Sequence, residues 1–61
     1  MIYQNIKSIA NLQKIPISQI EKDCGITPRY ICTWDKIMPG ADKLVAVANY
    51  LGTTVEELIK E

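Results

Sequence analysis

The residues whose chemistry stands out lie in one stretch, GITPRYICTWDK, which spans residues 25–36. If this stretch forms a helix at about 100° per residue, Ile31 and Trp34 face one side. The opposite side carries the polar side chains, namely Arg29, Cys32, Thr33 and Lys36. Guanidinium, ammonium and hydroxyl groups donate hydrogen bonds to phosphate oxygens and to base edges. The chemistry of these groups suits binding rather than catalysis.

Two interpretations of this polar side are open. A surface helix ordinarily keeps one polar face in water, and amphipathic spacing by itself favours that role. The residues before the stretch favour a second one, because Gly25, Ile26 and Thr27 make a tight turn between two short helices. Such a turn lets one helix brace the other while the second projects outward.

Periodicity predicts five short helices, with no alternating strand pattern to compete. The first covers residues 1–14. The second covers Ile17–Cys24 and ends at Gly25; its start is signalled equally by Pro16 and by a capping box from Ser18 to Glu21. The third covers residues 28–36, with Thr27 as its cap and Pro28 at its first position.

The fourth helix is predicted over Ala41–Leu51 and ends at Gly52. It places four apolar residues on one stripe: Leu44, Val47, Ala48 and Leu51. A capping box from Thr54 to Glu57 opens the last helix, whose apolar residues are Val55, Leu58 and Ile59. The fourth helix is apolar on most sides, which fits a central position in the core.

Composition narrows the function. The chain has 61 residues, 48% of them hydrophobic, with seven basic and seven acidic side chains. It has no histidine, and Cys24 and Cys32 have neither metal-ligand spacing nor the number needed for a disulfide scaffold. We expect no enzyme activity, metal, cofactor or small-molecule ligand. Without a spanning segment or a signal design, we expect a soluble, cytoplasmic protein.

The neutral total charge conceals an uneven distribution. Residues 1–43 hold six basic and four acidic side chains, whereas the remainder holds one lysine and three glutamates. A local basic face matters more for nucleic-acid binding than the net charge does. The distribution therefore leaves such a partner open.

The chain resembles the phage repressor and Cro type (XRE-like) of helix-turn-helix DNA-binding domain over nearly its whole length. The residues that carry the resemblance are Ile20, Gly25, Ile26, Thr27, Ile31, Trp34, Asp35, Pro39, Leu44, Val47, Ala48, Leu51, Gly52 and Leu58. It implies an all-α, five-helix, lambda-repressor-like fold as a single domain over residues 1–61. A complete Cro-like protein and the N-terminal domain of a longer repressor are both open.

The resemblance also implies a function: sequence-specific binding to a double-stranded operator, with residues 28–36 in the major groove, and repression by promoter occlusion. The residues that it implies for DNA contact are Ser18, Gln19, Thr27, Pro28, Arg29, Tyr30, Cys32, Thr33, Lys36 and Lys43. Arg29 has the planar fork that pairs with guanine, worth ~1–3 kcal/mol of base discrimination. The chain departs from the family at Ile17, where glutamine is common, and at Glu21, where a small residue is common. We expect Glu21 to lean outward and to space the two helices wider.

The remaining aromatic and cysteine side chains have expected places. Trp34 is expected in the core rather than stacked on a base, Cys24 is expected in the core, and Tyr30 is balanced between a phosphate contact and partial burial. A homodimer on a pseudo-palindromic operator is expected through Tyr50, Val55 and Ile59. The alternative function is a protein-interaction module, antitoxin-like or anti-repressor-like, on the same fold.

Overall fold

The computed structural model describes residues 1–60, and within that range the chain is all-helical, with no strand. These sixty residues contain four α-helices and one 3₁₀ turn. Their bounds are Ile2–Leu12 (α1), Ile17–Cys24 (α2), Ile31–Thr33 (the 3₁₀ turn), Ala41–Leu51 (α3) and Val55–Ile59 (α4). The predicted fourth and fifth helices are thus α3 and α4.

Helix ends follow the local sequence signals at most positions. Gly25 and Gly52 end α2 and α3 in the left-handed conformation, with φ of 69° and 70°, as predicted. Pro16 precedes the first residue of α2, and no side chain caps that end. The start of α2 is therefore marked by Pro16, and the alternative capping box at Ser18 does not form because Ser18 lies inside the helix.

The first helix is shorter than the predicted 1–14. It ends at Leu12, and Lys14 adopts a positive φ of 59°. The amide of Ile15 then donates to the carbonyl of Ala10 at 2.9 Å, the pattern of a left-handed helix ending. Gln13 and Lys14, which were predicted to be helical, therefore belong to this turn.

The predicted third helix, residues 28–36, is wrong over most of its length, so the expected five-helix arrangement is not formed. Arg29 has a φ of 68°, which no right-handed helix contains. Thr27 caps no helix, because Tyr30 occupies the cap position of the 3₁₀ turn and no side chain caps there. Proline after threonine started a tight turn here instead, which is the other structure that proline favours at its second position.

A single core lies between the helices. It is built from the buried apolar side chains Ile2, Ile6, Ala10, Ile20, Ile26, Ile31, Trp34, Leu44, Val47, Ala48, Leu51 and Leu58. The apolar stripe of α3 is buried as predicted, and so are Ile31 and Trp34. α3 is not enclosed on all sides, since Val45 is exposed. No helix within residues 1–60 has the length and apolar character needed to cross a membrane.

Three polar side chains tie distant elements together. The Asp35 carboxylate accepts a hydrogen bond from the Tyr3 amide at 2.8 Å, in the first turn of α1. Gln13 donates to the Leu51 carbonyl at 2.7 Å, and Asn5 donates to the Leu58 carbonyl at 2.8 Å. Each contact satisfies a main-chain group that a helix end leaves without a partner.

Candidate functional site

Residues 27–30 form an exposed loop, hereafter the exposed loop, that contains Arg29. The Tyr30 amide donates to the Thr27 carbonyl at 3.0 Å, which closes a four-residue turn. Pro28 in second place and a positive φ of 68° at Arg29 in third place are the combination found in type II turns. All residues of the loop are exposed. The loop therefore presents its side chains to solvent on a closed, short frame.

Both residues that flank the exposed loop are buried and bonded to Glu21. The amide of Ile26 donates to the main-chain carbonyl of Glu21 at 2.8 Å. The amide of Ile31 donates to the Glu21 carboxylate at 3.1 Å. Glu21 is only 5% exposed, so the expectation that it leans outward is wrong. It turns inward because the first amide of the 3₁₀ turn needs an acceptor.

The polar side chains of the 3₁₀ turn are already engaged with the main chain. The Cys32 thiol donates to the Arg29 carbonyl at 2.8 Å, and the Thr33 hydroxyl donates to the Tyr30 carbonyl at 2.7 Å. Cys32 is exposed and Thr33 is half-buried. Thr33 consequently keeps lone pairs for accepting a hydrogen bond, while its proton holds the loop.

The cations of this region are available for a partner. Arg29 and Lys36 are exposed, and Lys43 is half-buried in the first turn of α3. The only ion pair within residues 1–60 joins Lys60 to Glu57 at 3.3 Å, at the far end of the chain. No described carboxylate neutralises the three cations.

Ser18 and Gln19 are exposed on the first turn of α2. The side-chain amide of Gln19 donates to the Asp23 carboxylate at 2.8 Å, and the Tyr50 hydroxyl donates to the same carboxylate. These bonds hold the pKa of Asp23 below its usual value, with Tyr50 as the larger cause. Gln19 is thereby oriented along its own helix, and Ser18 has no such restraint among the described residues.

The two aromatic rings of the region have different environments. Trp34 is 2% exposed and packs in the core, which confirms its predicted place and leaves its face unavailable for a base. Tyr30 lies at the surface, with its ring edge-to-face against Trp34 at 6.0 Å between centroids and 82° between planes. The Trp34 indole N–H has no hydrogen-bond acceptor within residues 1–60.

The three residues expected at a dimer contact occupy different environments. Tyr50 bonds to Asp23, Val55 packs partly against the core, and Ile59 is exposed. Ile59 lines an open cavity of about 320 Å³, together with Met1, Ile2, Trp34, Asp35, Lys36 and Met38. Tyr50 and Val55 are not among the residues that line this cavity.

In the part of the chain that the structure describes, the thiols and carboxylates do not gather into a group that could hold a metal ion. Burial, and the neighbouring Asp23 carboxylate to a smaller degree, raises the pKa of the Cys24 thiol, which disfavours the reactive thiolate. Cys24 is partly buried and packs against the core, so its predicted place is right in part. Within residues 1–60, no three histidine, cysteine or acidic side chains gather as metal ligands.

Sequence reasoning missed two carboxylates that bond helical amides from a distance, Glu21 and Asp35. Their partners, Ile31 and Tyr3, lie 10 and 32 positions away along the chain. Helical periodicity compares residues within a few positions, so it carries no signal for such pairs. One signal was present for Glu21, namely an acid at a position that should face a neighbouring helix.

Comparisons with protein-family models, characterised proteins and solved structures give no match for the chain. The candidate site therefore rests on its own residues, with the exposed loop at its centre and Glu21 beneath it.

Proposed function

We propose that the protein is a sequence-specific regulator that binds double-stranded DNA and represses transcription by occluding a promoter. The observation that carries the proposal is the backbone conformation of Arg29. This residue has a φ of 68° at the tip of the exposed loop, and its guanidinium forms no ion pair within residues 1–60. A long cation is thus held outward in a conformation that its residue type disfavours.

The strain at Arg29 argues for a function. Glycine or asparagine usually fills this position of such a turn, because a Cβ makes positive φ unfavourable by ~1–2 kcal/mol. Residues that keep a disfavoured conformation cluster at functional sites. Lys14 also has a positive φ, 59°, but there the left-handed turn ends α1 and has a structural reason.

The chemistry of the site matches the polar edges and phosphates of a duplex. The guanidinium fork of Arg29 fits the two acceptors of guanine in the major groove. Lys36 and Lys43 supply charge for phosphates, and Thr33 offers an acceptor. The exposed ring of Pro28 suits the methyl group of thymine. Arg29 is the residue expected to distinguish sequences, whereas the lysines are expected to contribute affinity.

The test begins with selection of bound duplexes from a random DNA library at moderate salt. Binding of the selected duplex is then measured for wild type and for Arg29→Ala. We expect the substitution to weaken specific binding about 5- to 150-fold, the equivalent of ~1–3 kcal/mol, and to broaden the selected sequence. Lys14→Ala is the matched control, since it removes one positive charge at another residue of positive φ.

The control variant should keep the sequence preference of wild type. An equal loss in Lys14→Ala and Arg29→Ala would reduce the role of Arg29 to general charge. Failure of wild type to enrich any sequence at any salt concentration would end the proposal for specific DNA binding.

A homodimer on a pseudo-palindromic operator belongs to the same proposal. Ile59 and Met38 are 43% and 68% exposed and line the same cavity, which supports this surface as the contact between copies. Sedimentation of wild type and of Ile59→Lys on a duplex with two half-sites tests it. We expect two copies of wild type and one of the variant; Val45→Lys, at another exposed apolar residue, should behave as wild type.

The same cavity favours the second candidate, a protein-interaction module. Apolar surface around a cavity commonly marks a binding site, and a module of this kind would use it without DNA. Arg29→Ala separates the two functions, because it should leave binding of a protein partner at the cavity unchanged.

A further inference from the structure

Glu21 holds both ends of the exposed loop with two different acceptor groups. Its main-chain carbonyl accepts from the Ile26 amide at 2.8 Å, and its carboxylate accepts from the Ile31 amide at 3.1 Å. Both isoleucines are buried, while every residue between them is exposed. We infer that Glu21 is the positioning residue that fixes the exposed loop, and with it Arg29, on the surface of the molecule.

The two contacts make different demands on the residue at position 21. The bond to Ile26 uses the main chain and belongs to the left-handed ending of α2 at Gly25, so any residue at this position can form it. The bond to Ile31 requires a side chain with an acceptor and the length to cross from α2. A side-chain acceptor of this length is thus what position 21 must supply.

The carboxylate is an unusual choice if stability alone is considered. Glu21 is buried, and no cation pairs with it within residues 1–60. Burial of a charged group lowers stability unless the group is paired and hydrogen-bonded. Glu21 is better explained by the orientation that its bond to the Ile31 amide imposes on the exposed loop.

The Ile31 amide is a well-defined anchor for that orientation. It opens the 3₁₀ turn, and the residue at the cap position, Tyr30, supplies no side-chain bond. An anionic acceptor near the first amides of a helical turn is favoured by their partial positive charge. With this bond the backbone of the loop is hydrogen-bonded at both ends; without it, the Ile31 end is held by the packing of its buried side chain alone, and Arg29, two residues earlier, is positioned less narrowly.

The first test does not involve DNA. In wild type, a scalar coupling across the hydrogen bond between the Ile31 amide nitrogen and the Glu21 carboxylate carbon should be detectable by NMR. Hydrogen exchange of the Ile31 amide should accelerate about tenfold or more in Glu21→Met, which has similar length and no such acceptor. Glu21→Gln keeps an acceptor oxygen and should exchange at a rate near that of wild type.

Absence of the coupling, or unchanged Ile31 exchange in Glu21→Met, would overturn the inference whether or not the protein binds DNA. If Glu21→Met does not fold, the coupling in wild type and the exchange rate in Glu21→Gln still decide the question, since both use folded protein. An Ile31 amide in Glu21→Gln that is as unprotected as a solvent-exposed amide would contradict the inference.

The second test concerns the role of the exposed loop in DNA recognition, and it rests on the proposed DNA binding. Glu21→Met and Glu21→Gln each remove one negative charge, and this alone strengthens attraction to phosphates. We nevertheless expect Glu21→Met to lose about tenfold or more in specific affinity, while Glu21→Gln retains the sequence preference. Glu56→Met, an exposed acid on α4, is the control for charge.

The outcomes of the two tests separate the two ideas. Wild type that binds no duplex would remove the DNA function and leave the exchange result standing. Specific binding by Glu21→Met equal to that of wild type, alongside a faster Ile31 amide, would remove the positioning role in recognition. Equal weakening of specific and non-specific binding would likewise contradict it, since loss of positioning should act on specific binding alone.

Discussion

The hydroxyl of Tyr50 donates a hydrogen bond to the carboxylate of Asp23, and this contact joins α3 to α2. The bond favours the ionised carboxylate and the protonated phenol. The pKa of Asp23 is accordingly held below its usual value, mainly by Tyr50, and the pKa of Tyr50 is raised, mainly by Asp23. Both side chains are exposed, so the contact is open to titration.

Tyr50→Phe should lower the free energy of unfolding in a pH-dependent way. A carboxyl with a lowered folded pKa contributes stability above its unfolded value, about 3.9, and loses it as the pH falls through the folded value. A phenol with a raised folded pKa contributes below about 10 and loses its contribution as the pH rises through the folded value. The difference between wild type and variant should thus be greatest from about pH 5 to 9 and disappear on both sides.

Urea unfolding over this pH range provides the measurement. Tyr3→Phe is the control, because the Tyr3 hydroxyl forms no hydrogen bond within residues 1–60. A difference between Tyr50→Phe and wild type that stayed constant from acid to alkaline pH would contradict the role of Asp23.

Gln13→Ala should destabilise the protein by about 1 kcal/mol, the usual net effect of one hydrogen bond. The Gln13 side chain donates to the carbonyl of Leu51, the last residue of α3, at 2.7 Å. Chemical denaturation gives the free energy of unfolding. Gln4→Ala is matched in residue type, is exposed and has no side-chain bond within residues 1–60; an equal loss there would argue against the capping role.

Leu58→Ala should remove most of the stability of the domain. Leu58 is fully buried although it belongs to the short helix α4. Leucine-to-alanine substitutions in cores cost about 2–5 kcal/mol, and a domain of this size rarely has more than about 3–5 kcal/mol in total. Thermal unfolding followed by circular dichroism should show a broad transition at much lower temperature, whereas Leu12→Ala, at an exposed residue, should melt as wild type does.

Gly25→Ala and Gly52→Ala should each cost about 1 kcal/mol, because alanine disfavours the left-handed conformation that both positions require. Neither position is crowded, since a Cβ there meets no atom within 4 Å. Gly40→Ala is the control: its φ is −68°, and the added Cβ meets only the Asp42 carboxylate at 2.8 Å, which can rotate away. Equal losses at all three glycines in urea unfolding would refute the backbone explanation.

The helices with local signals could be predicted from the sequence. Pro16 and Gly25 bound α2, Gly52 ends α3, and Thr54 caps α4 by accepting from the Glu57 amide at 3.2 Å. These signals act within one turn of helix, so they do not depend on the rest of the fold. Apolar periodicity likewise placed the buried stripe of α3 correctly.

The backbone conformation of residues 27–36 could not be predicted from local sequence signals. The threonine and proline that open this segment suit the start of a helix and a tight turn equally. Contacts between distant residues favour the turn: the Glu21 carboxylate accepts from the Ile31 amide, and the Asp35 carboxylate accepts from the Tyr3 amide. The sequence therefore suggested the residues of the candidate site as a prediction, but it did not predict the shape of their backbone.

The sequence by itself determined an all-helical chain, the ends of α2 and α3 and the burial of the apolar stripe of α3, because turn chemistry and helical period are local properties. Only the tertiary structure decided that Arg29 has a positive φ and that the Glu21 side chain is buried. Both depend on a main-chain amide that lacks a partner in its own segment and finds one on another helix. Such pairing is fixed by packing, since a buried amide must be satisfied wherever the folded chain brings an acceptor.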